Sequence, residues 1–167
     1  MTTYRLILTR HAKSSWDAPV GDHDRPLNKR GRRAAPAVGR WLAAQGYVPD
    51  IVLCSTALRA TETWERLRPH LLAGPEVVFR GALYHASPVA MMCAVAERAE
   101  TSVMLIGHNP GIADLAQGLV ARPPAHHDFD RYPTAATAVI DLEGRNWAEA
   151  LRTPGHLTGF AVPGDLM

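Results

Sequence analysis

The chain alternates between short apolar runs and longer stretches in which apolar residues recur at helical spacing. Tyr4 to Thr9, Asp50 to Cys54 and Ser102 to Ile106 are the apolar runs, the last being the clearest. Near-continuous runs of this length suit strands covered on both faces. Ala34, Val38, Trp41 and Leu42 share one face of a helix. It is predicted to start after an N-cap at Asn28 and end near Gln45 with Gly46 at the C-cap position, while Pro36 predicts an irregular first turn or a kink. Ala60, Trp64, Leu67 and Leu71 predict a second helix over 57–72, and Pro88 to Arg98 a third. Ile112, Leu115, Ala116 and Leu119 predict a fourth, opening after Asn109 as N-cap with Pro110 at its first position. Val77-Val78-Phe79 is a weaker strand. Thr137 to Leu142 and Trp147 to Arg152 read as closing strands, and the Gly- and Pro-containing tail from Thr153 as loosely packed.

This alternation predicts an α/β fold: a three-layer sandwich with a largely parallel central sheet flanked by helices. A length of 167 residues suits one domain over 1–167, with Arg122 to Pro133 as a polar surface loop. In such sheets ligands bind beyond the carboxyl ends of the strands.

Composition narrows the classes. A 47% hydrophobic and 20% charged chain is globular, and its longest apolar runs, such as Val103 to Ile106, are too short to span a bilayer. No apolar stretch follows a basic start, so no secretory signal is predicted. Cys54 and Cys93 lack CxxC spacing and read as two reduced core thiols. The expectation is a soluble cytoplasmic protein without a membrane partner. A net charge of +2 gives no argument for nucleic acid. The basic residues are arginines apart from Lys13 and Lys29, and arginine suits bidentate phosphate contacts. Lys29 to Arg33 reads either as a solvated helix start or as a basic patch for an acidic partner.

The residues after each strand carry the chemistry. The first strand runs into Arg10 and His11. After the second, "CSTALRATET" places Arg59 in the first helical turn, with Ser55 or Thr56 as N-cap. After the fourth, "IGHNPG" places His108 just before its helix. Two arginines, two histidines and helix N-termini are thus predicted to crowd one sheet edge, with no carboxylate in the same motifs. Such a pocket calls for an anion, and arginine forks suit a tetrahedral phosphoryl group. A metal held by His11 and His108 lacks matching carboxylate or thiolate ligands. His126-His127, in a polar loop, reads as surface.

In order and spacing, "RHAKSSW", "DRPLNKRGRRAA", "CSTALRATETW" and "GHNPG" resemble the histidine phosphatase superfamily, with its phosphoglycerate mutase-like fold, and in particular its SixA-like phosphohistidine phosphatases. The resemblance spans about Leu6 to Leu119. It implies that His11 is a nucleophile forming a covalent phosphohistidine, that Arg10 and Arg59 clamp the phosphoryl oxygens, and that His108 donates a hydrogen bond to them. No metal or other cofactor is implied. Arg25 is a further candidate contact, and Ser14 and Asn28 are candidate ligands. Independently, a neutral imidazole is a competent nucleophile, and fixed cations and dipoles stabilise phosphoryl charge.

Three departures bear on the substrate. Ala12 stands where the superfamily commonly has glycine. Leu83-Tyr84-His85 stands where many ester phosphatases and mutases carry a glutamate as general acid, a function worth typically ~10²–10⁴-fold. A phosphohistidine substrate relaxes that requirement, because protonated imidazole leaves neutral; the expected partner is therefore a phosphohistidine-bearing protein. Asp17 falls where mutases have asparagine, and Asp17, Asp22 or Asp24 could act as a surrogate acid. The rival readings are a phosphatase for small phosphate esters and a non-catalytic phosphate- or phosphoprotein-binding module.

Overall fold

Side-chain alternation within the strands divides the interior into two cores. The computed structural model describes residues 1–167. In β1 (Thr2–Arg10), Leu6 and Leu8 enter one apolar cluster and Ile7 the other. β2 (Ile51–Ser55) repeats the pattern with Ile51 and Leu53 against Val52 and Cys54. So does β4 (Ser102–Gly107), with Val103 and Leu105 against Met104 and Ile106. A strand whose two faces are both apolar needs cover on both sides. One face is closed by α1 (Lys29–Gln45) and α2 (Leu58–Leu67), the other by α3 (Pro88–Ala96), α4 (Gly111–Leu119) and the short α5 (Trp147–Ala150). Those are the three layers expected.

With β3 (Glu76–Arg80), β5 (Thr137–Gly144) and β6 (His156–Ala161), the sheet has the order β3-β2-β4-β1-β5-β6. The first four strands are mutually parallel, and β5 runs antiparallel to both its neighbours. No helix is long and apolar enough to cross a membrane.

Several expectations need correction. The second helix ends at Leu67 because Pro69 cannot continue it, and a 3-10 turn over Arg68–His70 follows. The expected bounds of α1 hold, from the Asn28 N-cap to Gly46 at φ +75°, but Pro36 lies inside the helix and not in its first turn. The segment from Trp147 is α5, capped by Asn146, and not a strand. The tail is not loose: β6 pairs with β5, and α6 (Pro163–Leu166) is tied back by His126 Nε2 to Asp165 at 2.9 Å. Cys54 is a core thiol, whereas Cys93 lies exposed on α3. Neither Ser55 nor Thr56 is the N-cap of α2, which is Ala57, although Ser55 Oγ accepts from the Ala57 amide at 3.2 Å. α4 opens at Gly111, and Asn109 does not cap it; the Asn109 side chain instead donates to the carbonyls of Arg131 and Tyr132, both at 3.0 Å.

The segment after β1 lies directly on the start of α1. The Lys13 carbonyl accepts the Asn28 amide at 2.9 Å, and a Cβ on Gly31 would stand 2.1 Å from that same carbonyl oxygen. Gly31→Ala should therefore destabilise the fold by about 1–3 kcal/mol, because overpacking against backbone outweighs the helix-propensity gain of about 1 kcal/mol. Gly118→Ala in α4, with nothing within 4 Å of its Cβ, should stabilise it by up to about 1 kcal/mol. Urea unfolding of both variants checks the pair.

Candidate active site

Parallel register brings the two histidines together. Arg10 and Gly107 are partners in the β1–β4 ladder, so the chains leave the sheet side by side as His11 and His108. The His11 amide donates to the Gly107 carbonyl at 3.0 Å, and the two imidazole centroids are 5.1 Å apart. Arg59 arrives from the first turn of α2. Together they border a cleft of about 270 Å³ at the carboxyl end of the sheet, lined by 11 residues of which one is hydrophobic.

His11 is 6% exposed, and its Nδ1 lies 2.7 Å from the Ala12 carbonyl. A carbonyl only accepts, so Nδ1 carries the proton and the Nε2 lone pair is left free. Burial lowers the His11 pKa from 6.5 to about 3, with His108, Arg10 and Arg59 lowering it further against the opposing Ala12 hydrogen bond. Burial, then Arg59 and His85, lowers that of His108 to about 4. Both rings are neutral at pH 7. His108 Nε2 meets Ser55 Oγ at 2.7 Å. Its Nδ1 and Arg10 Nε are buried without a hydrogen-bond partner. Each such orphan costs about 1–3 kcal/mol when nothing completes it, and both belong to residues lining the cleft.

The cations are held from behind. Arg10 donates to the Tyr132 carbonyl at 3.2 Å; burial, then Arg59, lowers its pKa. Arg59 donates to the Asp22 carbonyl oxygen at 2.7 Å and to its carboxylate at 3.1 Å. Arg25, 8% exposed, lies in the cleft wall. It donates to Ser14 Oγ, to Asp22 Oδ1 at 3.0 Å and to the Ser15 carbonyl at 3.1 Å, with its guanidinium carbon 3.4 Å from the Trp16 ring centroid. Three non-glycine residues have positive φ, His85, Tyr132 and Ala135. His85 lines the cleft, Tyr132 supplies the carbonyl under Arg10, and the Ala135 amide bonds the carbonyls of Arg10 and His11.

Of the residues predicted from sequence, Arg10, His11, Ser14, Arg25, Arg59 and His108 line the cleft. Asn28 does not; its Oδ1 caps α1 by accepting from the Gly31 amide at 2.8 Å. Asp17 and Asp24 are exposed and outside it. Asp22 is also outside the cleft lining and pairs with Arg25 and Arg59; the Tyr84 hydroxyl, then Arg59 and Arg25, hold its carboxyl far below the usual range, an environment that favours the ionised form. Sequence reasoning passed over Lys13, Trp16, His85, Asn109 and Thr134, all of which line the cleft. His85 had a signal: it follows the carboxyl end of a parallel strand, β3.

A sequence model of the histidine phosphatase superfamily (branch 1) matches residues 6–83. An uncharacterised protein of Mycobacterium tuberculosis is 34% identical over 161 residues, 92% of this chain and 99% of the relative. SixA from Agrobacterium tumefaciens superposes with a TM-score of 0.79 at 28% identity, covering 96% of this chain and 98% of that one. SixA from Nakamurella multipartitia gives 0.80 at 29% identity, covering 98% of each. The chain belongs to the histidine phosphatase superfamily. It falls in the SixA-like branch, and a phosphatase accounts for the arginine- and histidine-lined cleft of this histidine phosphatase fold.

The depressed histidines predict how stability responds to acid. Above pH 6.5 His11 and His108 are neutral in both folded and unfolded chains. Between about pH 6.5 and 4 only the unfolded chain takes up their protons, so stability is lost as pH falls. Urea midpoints should drop from pH 7 to pH 5, above the range where carboxylates protonate. The drop should shrink in a His11→Asn/His108→Asn double variant.

Proposed function

We propose that this chain is a metal-independent phosphatase that passes through a covalent phosphohistidine on His11 and acts on phosphohistidine in a partner protein. The observation that carries the reading is the His11 Nδ1 contact with the Ala12 carbonyl, which leaves a neutral Nε2 lone pair among Arg10, Arg59, Arg25 and His108. In-line attack by Nε2 forms the N–P bond and expels the leaving group; water then hydrolyses the phosphohistidine to free His11 and phosphate. Arg10 and Arg59 hold the phosphoryl oxygens, with Arg25 and Ser14 lining the same cleft. His108, held by Ser55, donates a further hydrogen bond to them. Fixed donors of this kind stabilise charge on the oxygens without reorganising during the reaction.

Two observations favour a protein-borne substrate. The cleft is small and has one hydrophobic lining residue, so it offers a seat for the phosphoryl group and little apolar wall for a sugar or nucleobase. The two SixA proteins similar to this chain are provisionally designated phosphohistidine phosphatases.

Phosphate release from a phosphohistidine-bearing carrier protein should proceed equally well with and without a chelator. His11→Ala should lower it by at least about 10³-fold, as removing a covalent nucleophile does. Turnover that persists in the variant, or that a chelator abolishes, contradicts the proposal.

A further inference from the structure

One imidazole of the cleft takes no part in that scheme. His85 follows the 3-10 turn Gly81–Leu83 at the end of β3 and has φ +57°, a left-handed conformation that histidine, asparagine and aspartate adopt more readily than other non-glycine residues. Backbone outliers of this kind concentrate where a side chain has to be placed for function. His85 lines the cleft with His11 and His108; its ring centroid is 5.8 Å from that of His108 and 4.0 Å from that of Tyr84. Its Nε2 is 3.6 Å from Asp22 Oδ2, within ion-pairing reach of the imidazolium.

The neighbours leave few other proton donors. Asp22 is held ionised by Tyr84, Arg59 and Arg25. Tyr84 donates its hydroxyl to that carboxylate, which pushes its own pKa up. His108 is bound to Ser55, and burial keeps it neutral. The arginines do not release protons at any working pH. His85 is exposed to solvent. The titratable and charged groups around it are Asp22, Tyr84, His108 and Arg59 on the cleft side, and Asp114 of α4 across the shallow groove on the other.

We propose that His85 is the general acid of this site, and that it extends the phosphatase activity to monoesters with poor leaving groups. The inference rests on the function proposed above. As His11 Nε2 forms its bond to phosphorus, the P–O bond to the leaving group breaks and its electron pair stays on that oxygen. The proton from the His85 imidazolium goes to the same oxygen, yielding a neutral alcohol, phosphorylated His11 and neutral His85. In the second half water attacks phosphorus, the new O–P bond forms, and the N–P bond breaks with its electron pair returning to His11 Nε2. Both protons of the water leave with the phosphate, and neutral His85 takes its proton back from solvent.

The discriminating variant is His85→Asn, because asparagine tolerates the same positive φ. It would be compared with the native chain on p-nitrophenyl phosphate, whose leaving group needs no proton, and on phenyl phosphate, whose leaving group does. Loss of a general acid should lower kcat on phenyl phosphate by about 10²-fold or more while changing p-nitrophenyl phosphate turnover little. Equal losses on the two esters, or no loss on phenyl phosphate, would overturn the assignment. Native turnover of phosphohistidine protein without any turnover of phenyl phosphate also overturns it, leaving the proposed function intact. Native failure on phosphohistidine protein and both esters removes that function and this inference together.

Discussion

Arg10 and Gly107 are register partners at the ends of adjacent parallel strands, and each is followed by a histidine. That pairing fixes where the two imidazoles leave the sheet, and the Ala12 carbonyl then decides which nitrogen of His11 is free. The remaining parts of the site are arranged around this corner. α1 presses on the Lys13 carbonyl at Gly31, and Thr63 of α2 accepts the Ala12 amide at 2.9 Å. Ala135 closes the other side by donating to the carbonyls of both Arg10 and His11. His11 is held by backbone and needs no flexible partner to orient it.

Electrostatics explain why so much cation is tolerated in one cleft. His11 and His108 remain neutral, which removes two potential positive charges from the neighbourhood of Arg10 and Arg59. Asp22 offsets Arg25 and Arg59 from the rear and rim, tethered by Tyr84. Arg10 has no carboxylate partner and keeps a buried, unpartnered Nε. Orphaned buried donors at about 1–3 kcal/mol each are appreciable against a typical total stability of 5–15 kcal/mol. Residues that would be poor choices for stability alone are good ones for receiving an anion.

Much of this was legible in the sequence, for local reasons. The apolar runs of β1, β2 and β4 and the spacing on α1, α2 and α4 sufficed for the α/β class, and the strand-end rule pointed to Arg10, His11, Arg59 and His108. What escaped depends on distant contacts. β6 is half-buried and contains Gly159, whose added Cβ would lie 3.1 Å from the Tyr47 ring; only the packed fold shows that this glycine belongs in a strand. α5 is a single capped turn, too short for periodicity to identify. The setting of Asp22 comes from Tyr84, 62 residues away, and the placement of His85 from a backbone angle no propensity scale encodes. Asn28 shows the converse: a polar residue in a site motif whose side chain is spent on capping a helix.

The central claim is that the fold presents His11 Nε2, and no other atom, to the phosphoryl group. The most direct measurement is to trap the enzyme during turnover, digest it, and identify the phosphorylated atom by phosphorus NMR against authentic Nδ1- and Nε2-phosphohistidine standards. The account predicts phosphate on His11 at Nε2, with Nδ1 kept protonated by the Ala12 carbonyl. Phosphate at Nδ1, or on any other residue, would contradict it.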